Sequence, residues 1–198
     1  KRIEVSDMEY FKLDAEIRRK VKENESILIY CSFGSVRASD TSAVNTFIKK
    51  LFQAVHDRNC IVILSINSIQ HENTLSEAPQ NVYILKAAPQ IEILARADLF
   101  ITHGGLNSIK EAVYMGVPML VYPLHDITDT AGNSSRIVYH QLGLRGDLLN
   151  DTVEDINKKI VELINNDVYK KNIFTLREKD EEYSLLFRKF YDELTPLH

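Results

Sequence analysis

The chain has 198 residues, 44% of them hydrophobic and 26% charged, with a formal net charge of −4. That length suffices to bury a core within one domain, and the composition excludes disordered, collagen-like and coiled-coil classes. The acidic balance argues against a dedicated nucleic-acid binder, and no apolar run reaches the ~20 residues that span a bilayer.

No signal-peptide pattern is present. The two cysteines, Cys31 and Cys60, sit in apolar runs and provide neither a metal-ligand spacing nor a disulfide framework, so a reducing, cytoplasmic setting is the simplest expectation. The first residue is Lys1 rather than Met, which suggests a piece of something longer.

In chain order, residues 1–25 are charged, with a loose helical spacing (Met8, Phe11, Ile17, Val21), and read as a linker followed by a helix. Ile27–Cys31 is a continuous apolar run, as expected of a strand covered on both faces. Val44, Phe47, Ile48, Leu51, Phe52 and Val55 then recur at helix spacing, and Ile61–Leu64 predicts a second strand. Further strands are predicted at Val82–Leu85, Leu99–Thr102 and Met119–Tyr122. Between and after them, helices are predicted over Ile91–Ala97, Gly105–Met115 and Asn133–Gln141. From Thr152 the tail reads as helical throughout. The alternation predicts an α/β fold: a single domain over 1–198, with a parallel sheet and helices on both faces.

In such a sheet, ligands bind beyond the carboxyl ends of the strands. Three turns there are rich in small and polar residues: Ser32–Ser35, Thr102–Ser108 and Pro123–Asn133. The second runs straight into a helix. Gly104 and Gly105 alone mark a tight strand–helix turn, but at a helix start they also let backbone N–H groups approach an anion. Asn107 and Ser108 add side-chain donors and His103 adds a ring nitrogen, which together make a pyrophosphate cradle. The pattern is neither G-x-G-x-x-G nor a Walker P-loop, so an ordinary dinucleotide or ATP site is not indicated. Glu111, one helical turn beyond Ser108, is placed to accept hydrogen bonds from ribose hydroxyls.

Pro89-Gln90, Phe100 through Ser108, Glu111-Ala112, Gly116-Val117-Pro118, Pro123 and Asp129 resemble the donor-binding signature of the UDP-glycosyltransferase family. Ser32–Ser35 is similar to that family's S-F-G-S turn. The resemblance covers about residues 27–145 and implies the Rossmann-like, nucleotide-sugar-binding C-terminal half of a GT-B enzyme. It implies Gln90 at the nucleoside edge and Glu111 at the ribose. It places Ser35, His103, Gly105, Asn107 and Ser108 at the phosphates, with Gly104 in the same turn, and Asp129 at the sugar hydroxyls. Two departures are visible. Ala87 stands where the family often has a base-stacking Trp, and the chain contains no Trp. Thr130 stands where a Gln normally follows the Asp, which removes amide groups that would read the sugar.

The implied function is the donor domain of an inverting, metal-independent glycosyltransferase using a UDP-sugar or dTDP-sugar, with no other cofactor. The general base and the acceptor site are expected in an N-terminal domain outside this chain, which leaves the isolated chain inactive. No residue here is assigned a catalytic role. Alternatives are a non-catalytic nucleotide-sugar-binding subunit or sensor and, more weakly, an epimerase of the same fold. His125 and Asp126 read as a solvated loop pair near the sugar, His56 and His140 as surface or packing residues, and Asp98 as a turn or cap. Arg177–Glu182 reads as a solvated helix face, the stripe Tyr183, Phe187, Phe190 and Tyr191 as core or a partner surface, and the sequon at Asn133 as chance.

Overall fold

The computed structural model describes residues 2–3, 15, 17–22, 26–34, 41–65, 76–85, 88–124 and 129–179. Its strands are β1 (Arg2–Ile3), β2 (Ile27–Ser32), β3 (Cys60–Ser65), β4 (Val82–Leu85), β5 (Leu99–Thr102), β6 (Met119–Val121) and β7 (Gly143–Arg145). They form one sheet in the order β1-β4-β3-β2-β5-β6-β7, and every pairing is parallel. The predicted α/β architecture is therefore observed.

The continuous apolar runs are explained by two cores. Ile29, Cys31, Val62 and Leu64 face one side, where α1 (Thr41–Val55) and α5 (Val153–Asn165) cover them. Leu28, Tyr30, Ile61 and Ile63 face the other, against helical residue Ile17, α2 (Gln90–Leu94), α3 (Leu106–Met115) and α4 (Asp129–Tyr139). With helices on both sides, neither face of a central strand can be polar. Both cysteines are free and buried, and burial pushes both thiols up.

Several boundaries differ from the sequence reading. β1 lies within the segment read as linker and pairs Arg2 with Ile84; two residues are too few for any periodicity to show. β7, Gly-Leu-Arg, carries a single apolar side chain and so shows no apolar run either. The helix expected from Asn133 begins at Asp129, so the third turn is shorter than predicted. Its first turn, Asp-Thr-Ala-Gly, has three weak helix formers around one alanine, yet Asp129 suits the positive end of the dipole and the Ser134 and Ser135 hydroxyls bond back to the Ala131 carbonyl. The tail is not one helix. Asn166 is extended, and its side chain accepts from the Val168 N–H at 3.1 Å to start a second helical stretch, 168–179. The aromatic stripe from Tyr183 to Tyr191 lies outside the described residues.

A buried polar knot ties one helical layer to the sheet. The Tyr122 hydroxyl, at the end of β6, donates to Asp151 Oδ2 at 3.0 Å, and Lys159 of α5 pairs with the same oxygen. Lys50 of α1 donates to the Asp151 carbonyl at 2.7 Å. Burial and the adjacent carboxylate push the Tyr122 phenol far up, so it remains a donor. Removing one partner strands the others without compensation, so Asp151→Ala is expected to cost about 3 kcal/mol. Thr152→Ala, which removes the neighbouring capping box, is expected to cost about 1 kcal/mol. Urea titration of both variants checks the ranking, and equal midpoints would refute it.

Candidate functional site

The chain runs from β2 outward to β3 and β4 on one side, then returns to lay β5 on the other side of β2. The carboxyl ends of β2 and β5 are therefore neighbours that lead in opposite directions, the crevice where open α/β sheets receive ligands. Register pairs Ser32 with Thr102, so the turns that follow these two residues lie side by side.

His103 fills the space between those turns. A Cβ on Gly34 would lie 3.0 Å from His103 Cε1, and one on Gly105 would lie 3.0 Å from Nε2. The ring is thus held between two glycines. Burial lowers the tendency of His103 to protonate, and its Nδ1 is buried without a hydrogen-bond partner among the described residues. Gly104 has φ +89°, and a Cβ there would stand 2.8 Å from Val121, so backbone conformation and close approach both require glycine. The Asn133 amide, buried on α4, donates to the Gly104 carbonyl at 3.0 Å and pins this turn.

Gly105 caps α3 through its backbone alone, with no side-chain hydrogen bond, and the first helical bond of the turn is Ile109 N–H to Gly105 carbonyl. The N–H groups of Leu106, Asn107 and Ser108 therefore face outward at the positive helix end. One turn along, Gln90 Nε2 donates to Glu111 Oε2 at 2.6 Å and to Ser108 Oγ at 3.2 Å. The Tyr30 hydroxyl donates to Gln90 Oε1 at 3.3 Å.

The structure thus gathers Gln90, Ser108 and Glu111 into one hydrogen-bonded cluster beside the His103-Gly104-Gly105 turn. Asn107 is exposed on the first turn of α3, and Asp129 is exposed on the first turn of α4. The Thr130 carbonyl comes within 3.3 Å of the Gly104 Cβ position, which sets the start of α4 against the glycine turn. Ser35, Ala87, His125 and Asp126 lie outside the described residues.

Asp98 behaves as a turn residue: its carboxylate accepts from the Leu28 N–H at 2.9 Å and its own N–H donates to the Leu28 carbonyl. His56 is exposed beside Asp57, and His140 is exposed edge-on to Tyr139. Tyr30 and Asn133 were not singled out as site residues in the sequence. Tyr30 reads as core, although its hydroxyl is aimed from mid-strand toward the Gln90 position, and Asn133 reads as the end of the third polar turn, at the spacing from Asp129 that the resemblance implies, and as a sequon. Its amide is committed to the glycine turn. A separate apolar groove of about 730 Å³ opens along the outer side of α3 and α4, and it meets the cluster only at Glu111 and Asn133.

A family model described as UDP-glucoronosyl and UDP-glucosyl transferase matches residues 12–182. Over 110 residues the chain is 37% identical to NDP-glycosyltransferase YjiC of Bacillus subtilis, a stretch covering 52% of this chain and 27% of that protein. It is 34% identical over 103 residues to UDP-glucuronosyltransferase 1A8 of Rattus norvegicus, covering 51% and 19% respectively. Among solved structures, the glycosyltransferase of kitacinnamycin superposes with a TM-score of 0.63 at 26% identity, covering 77% of this chain and 38% of that one. CalG4, the calicheamicin glycosyltransferase, shares the fold with a TM-score of 0.67 at 21% identity, covering 83% and 44%. The fold is thus the Rossmann-like α/β unit found in glycosyltransferases. The chain belongs to the UDP-glucuronosyl and UDP-glucosyl transferase family, and its match spans about a quarter of the curated relatives' length.

An imidazole that protonates less readily when folded than at its ordinary 6.5 loses stability as pH falls below that value, because the unfolded chain then binds the proton more readily. Thermal melts from about pH 8 down to about pH 5 should therefore show an acid-side loss of stability that shrinks in His103→Asn. Identical profiles for the two proteins would assign the loss elsewhere.

Proposed function

We propose that this chain is the donor-binding domain of an inverting glycosyltransferase that takes a sugar from a UDP-sugar or dTDP-sugar. The observation that carries this reading is the hydrogen-bonded Gln90–Ser108–Glu111 cluster set beside the glycine turn at the β2/β5 crevice. A diphosphate on the start of α3 meets the N–H groups of Leu106, Asn107 and Ser108. The unpartnered Nδ1 of His103 marks polar capacity in the same turn. Glu111 lies one helical turn further on, at the distance at which a ribose follows its phosphates.

The same donors serve catalysis. As the bond between the anomeric carbon and the diphosphate breaks, negative charge grows on the departing phosphate oxygens. Fixed N–H dipoles at a helix start stabilise that charge without having to reorganise. In this reading the backbone N–H groups at the start of α3 supply the positive potential, His103 contributes as a polar ring, and transfer proceeds without a metal ion. The acceptor hydroxyl attacks from the opposite face, which inverts the anomeric centre. Its proton goes to a base in an acceptor-binding domain outside these 198 residues, in keeping with the chain's spanning well under half of its glycosyltransferase neighbours. Asp129 is assigned to the sugar hydroxyls, with Thr130 replacing part of a Gln amide's hydrogen bonding. Ser35 is assigned to the phosphates.

Calorimetry with uridine and thymidine diphosphates and their sugars tests the reading. The unaltered chain should bind them, and His103→Ala and Glu111→Ala should each weaken binding about tenfold, the loss expected for hydrogen bonds to charged groups. Affinity that is indifferent to the nucleotide, or unchanged in both variants, would discard the donor site. Efficient sugar transfer by this chain alone to small acceptors would contradict the assignment of the base to another domain.

A further inference from the structure

We propose that Tyr30 is a positioning residue for the donor's ribose: its hydroxyl orients the Gln90 amide, which in turn fixes the Glu111 carboxylate. This rests on the donor-site reading above, narrows its two candidate donors to the ribonucleotide, and extends it to a buried strand residue that does not itself contact ligand.

The Tyr30 ring is enclosed on both sides. It is buried in β2 and stacks on Phe100 of β5 at 5.1 Å with the planes only 8° apart. Its hydroxyl donates to Gln90 Oε1, and Gln90 Nε2 then points at Ser108 and at Glu111 Oε2. The opposite amide orientation would set a carbonyl oxygen 2.6 Å from a carboxylate oxygen, a repulsive contact unless the acid is protonated. Burial pushes the Tyr30 phenol up to about 12, outweighing the opposing effect of hydrogen bonds from the Ser32 and Ser65 side chains, so it remains a donor at neutral pH.

The relay has a consequence for recognition. Glu111 Oε2 is held by Gln90, while Oε1 has no described protein donor. A carboxylate fixed at one oxygen has its other oxygen aimed in a set direction. A ribose offers two adjacent hydroxyl donors to such a group, and a 2′-deoxyribose offers one. Rigidity at Glu111 is what turns that difference into selectivity, because a freely rotating carboxylate would meet either sugar nearly as well.

The test compares the unaltered chain with Tyr30→Phe, which keeps the ring stacked on Phe100 and removes only the hydroxyl. Calorimetry is run with uridine diphosphate, 2′-deoxyuridine diphosphate and inorganic pyrophosphate. The unaltered chain should prefer the ribonucleotide. Tyr30→Phe should bind it about fivefold more weakly, within the range for one hydrogen bond, with the other two affinities little changed. The ribose preference therefore shrinks while the pyrophosphate affinity shows that the turn is intact. An undiminished preference in Tyr30→Phe would overturn the role of Tyr30 and leave the donor site standing, as would equal losses for all three ligands. An unaltered chain that binds neither nucleotide, or fails to distinguish them, would overturn the ribose reading and this inference with it.

Discussion

The pairing of β2 with β5 is the contact on which the candidate site depends. Tyr30 opposite Phe100 and Ser32 opposite Thr102 set the height at which both strands end. Neither turn is a binding site by itself. Side by side, they leave a slot with room for one imidazole, because Gly34 and Gly105 carry no Cβ to block it. The rest is hung from that slot: α3 leaves it with its N–H groups outward, and Asn133 ties the start of α4 to its floor.

The chain's overall acidity does not oppose an anion site. Charge on the scale of a whole protein influences long-range encounter, whereas a diphosphate at a helix start is held by dipoles within a few ångströms. Local desolvation matters more. Burial disfavours the charged form of His103, so the slot relies chiefly on backbone dipoles. Glu111 is steadied by an amide rather than a cation, leaving one of its oxygens for a ligand.

Much of this was legible in the sequence. Continuous apolar runs such as Ile61–Leu64 report burial on both faces, and only helices on both sides of a parallel sheet provide that. The glycine pair followed by Asn107 and Ser108 reads as a helix start with its first N–H groups open, and α3 does begin there with no side-chain cap, since these residues act through their neighbours in sequence. β1, with two residues, and β7, with one apolar side chain in three residues, left no pattern to read. The start of α4 was hidden because Asp-Thr-Ala-Gly has poor helical propensity, and docking against the Gly104 turn supplies what propensity lacks.

Sequence alone therefore determined the fold class, the strand–helix order and the local chemistry of the glycine turn. These rest on interactions between residues a few positions apart, or on how many sides of an element are covered. Only the tertiary structure decided which side chains meet across long separations. Tyr30 reaches Gln90 over 60 positions and Asn133 reaches Gly104 over 29, through strand order and register rather than any motif. A buried tyrosine in an apolar strand looks ordinary in a one-dimensional string, and the spacing of Asn133 from Asp129 does not name its partner. Their contacts appear only once the sheet has placed their partners within hydrogen-bonding distance.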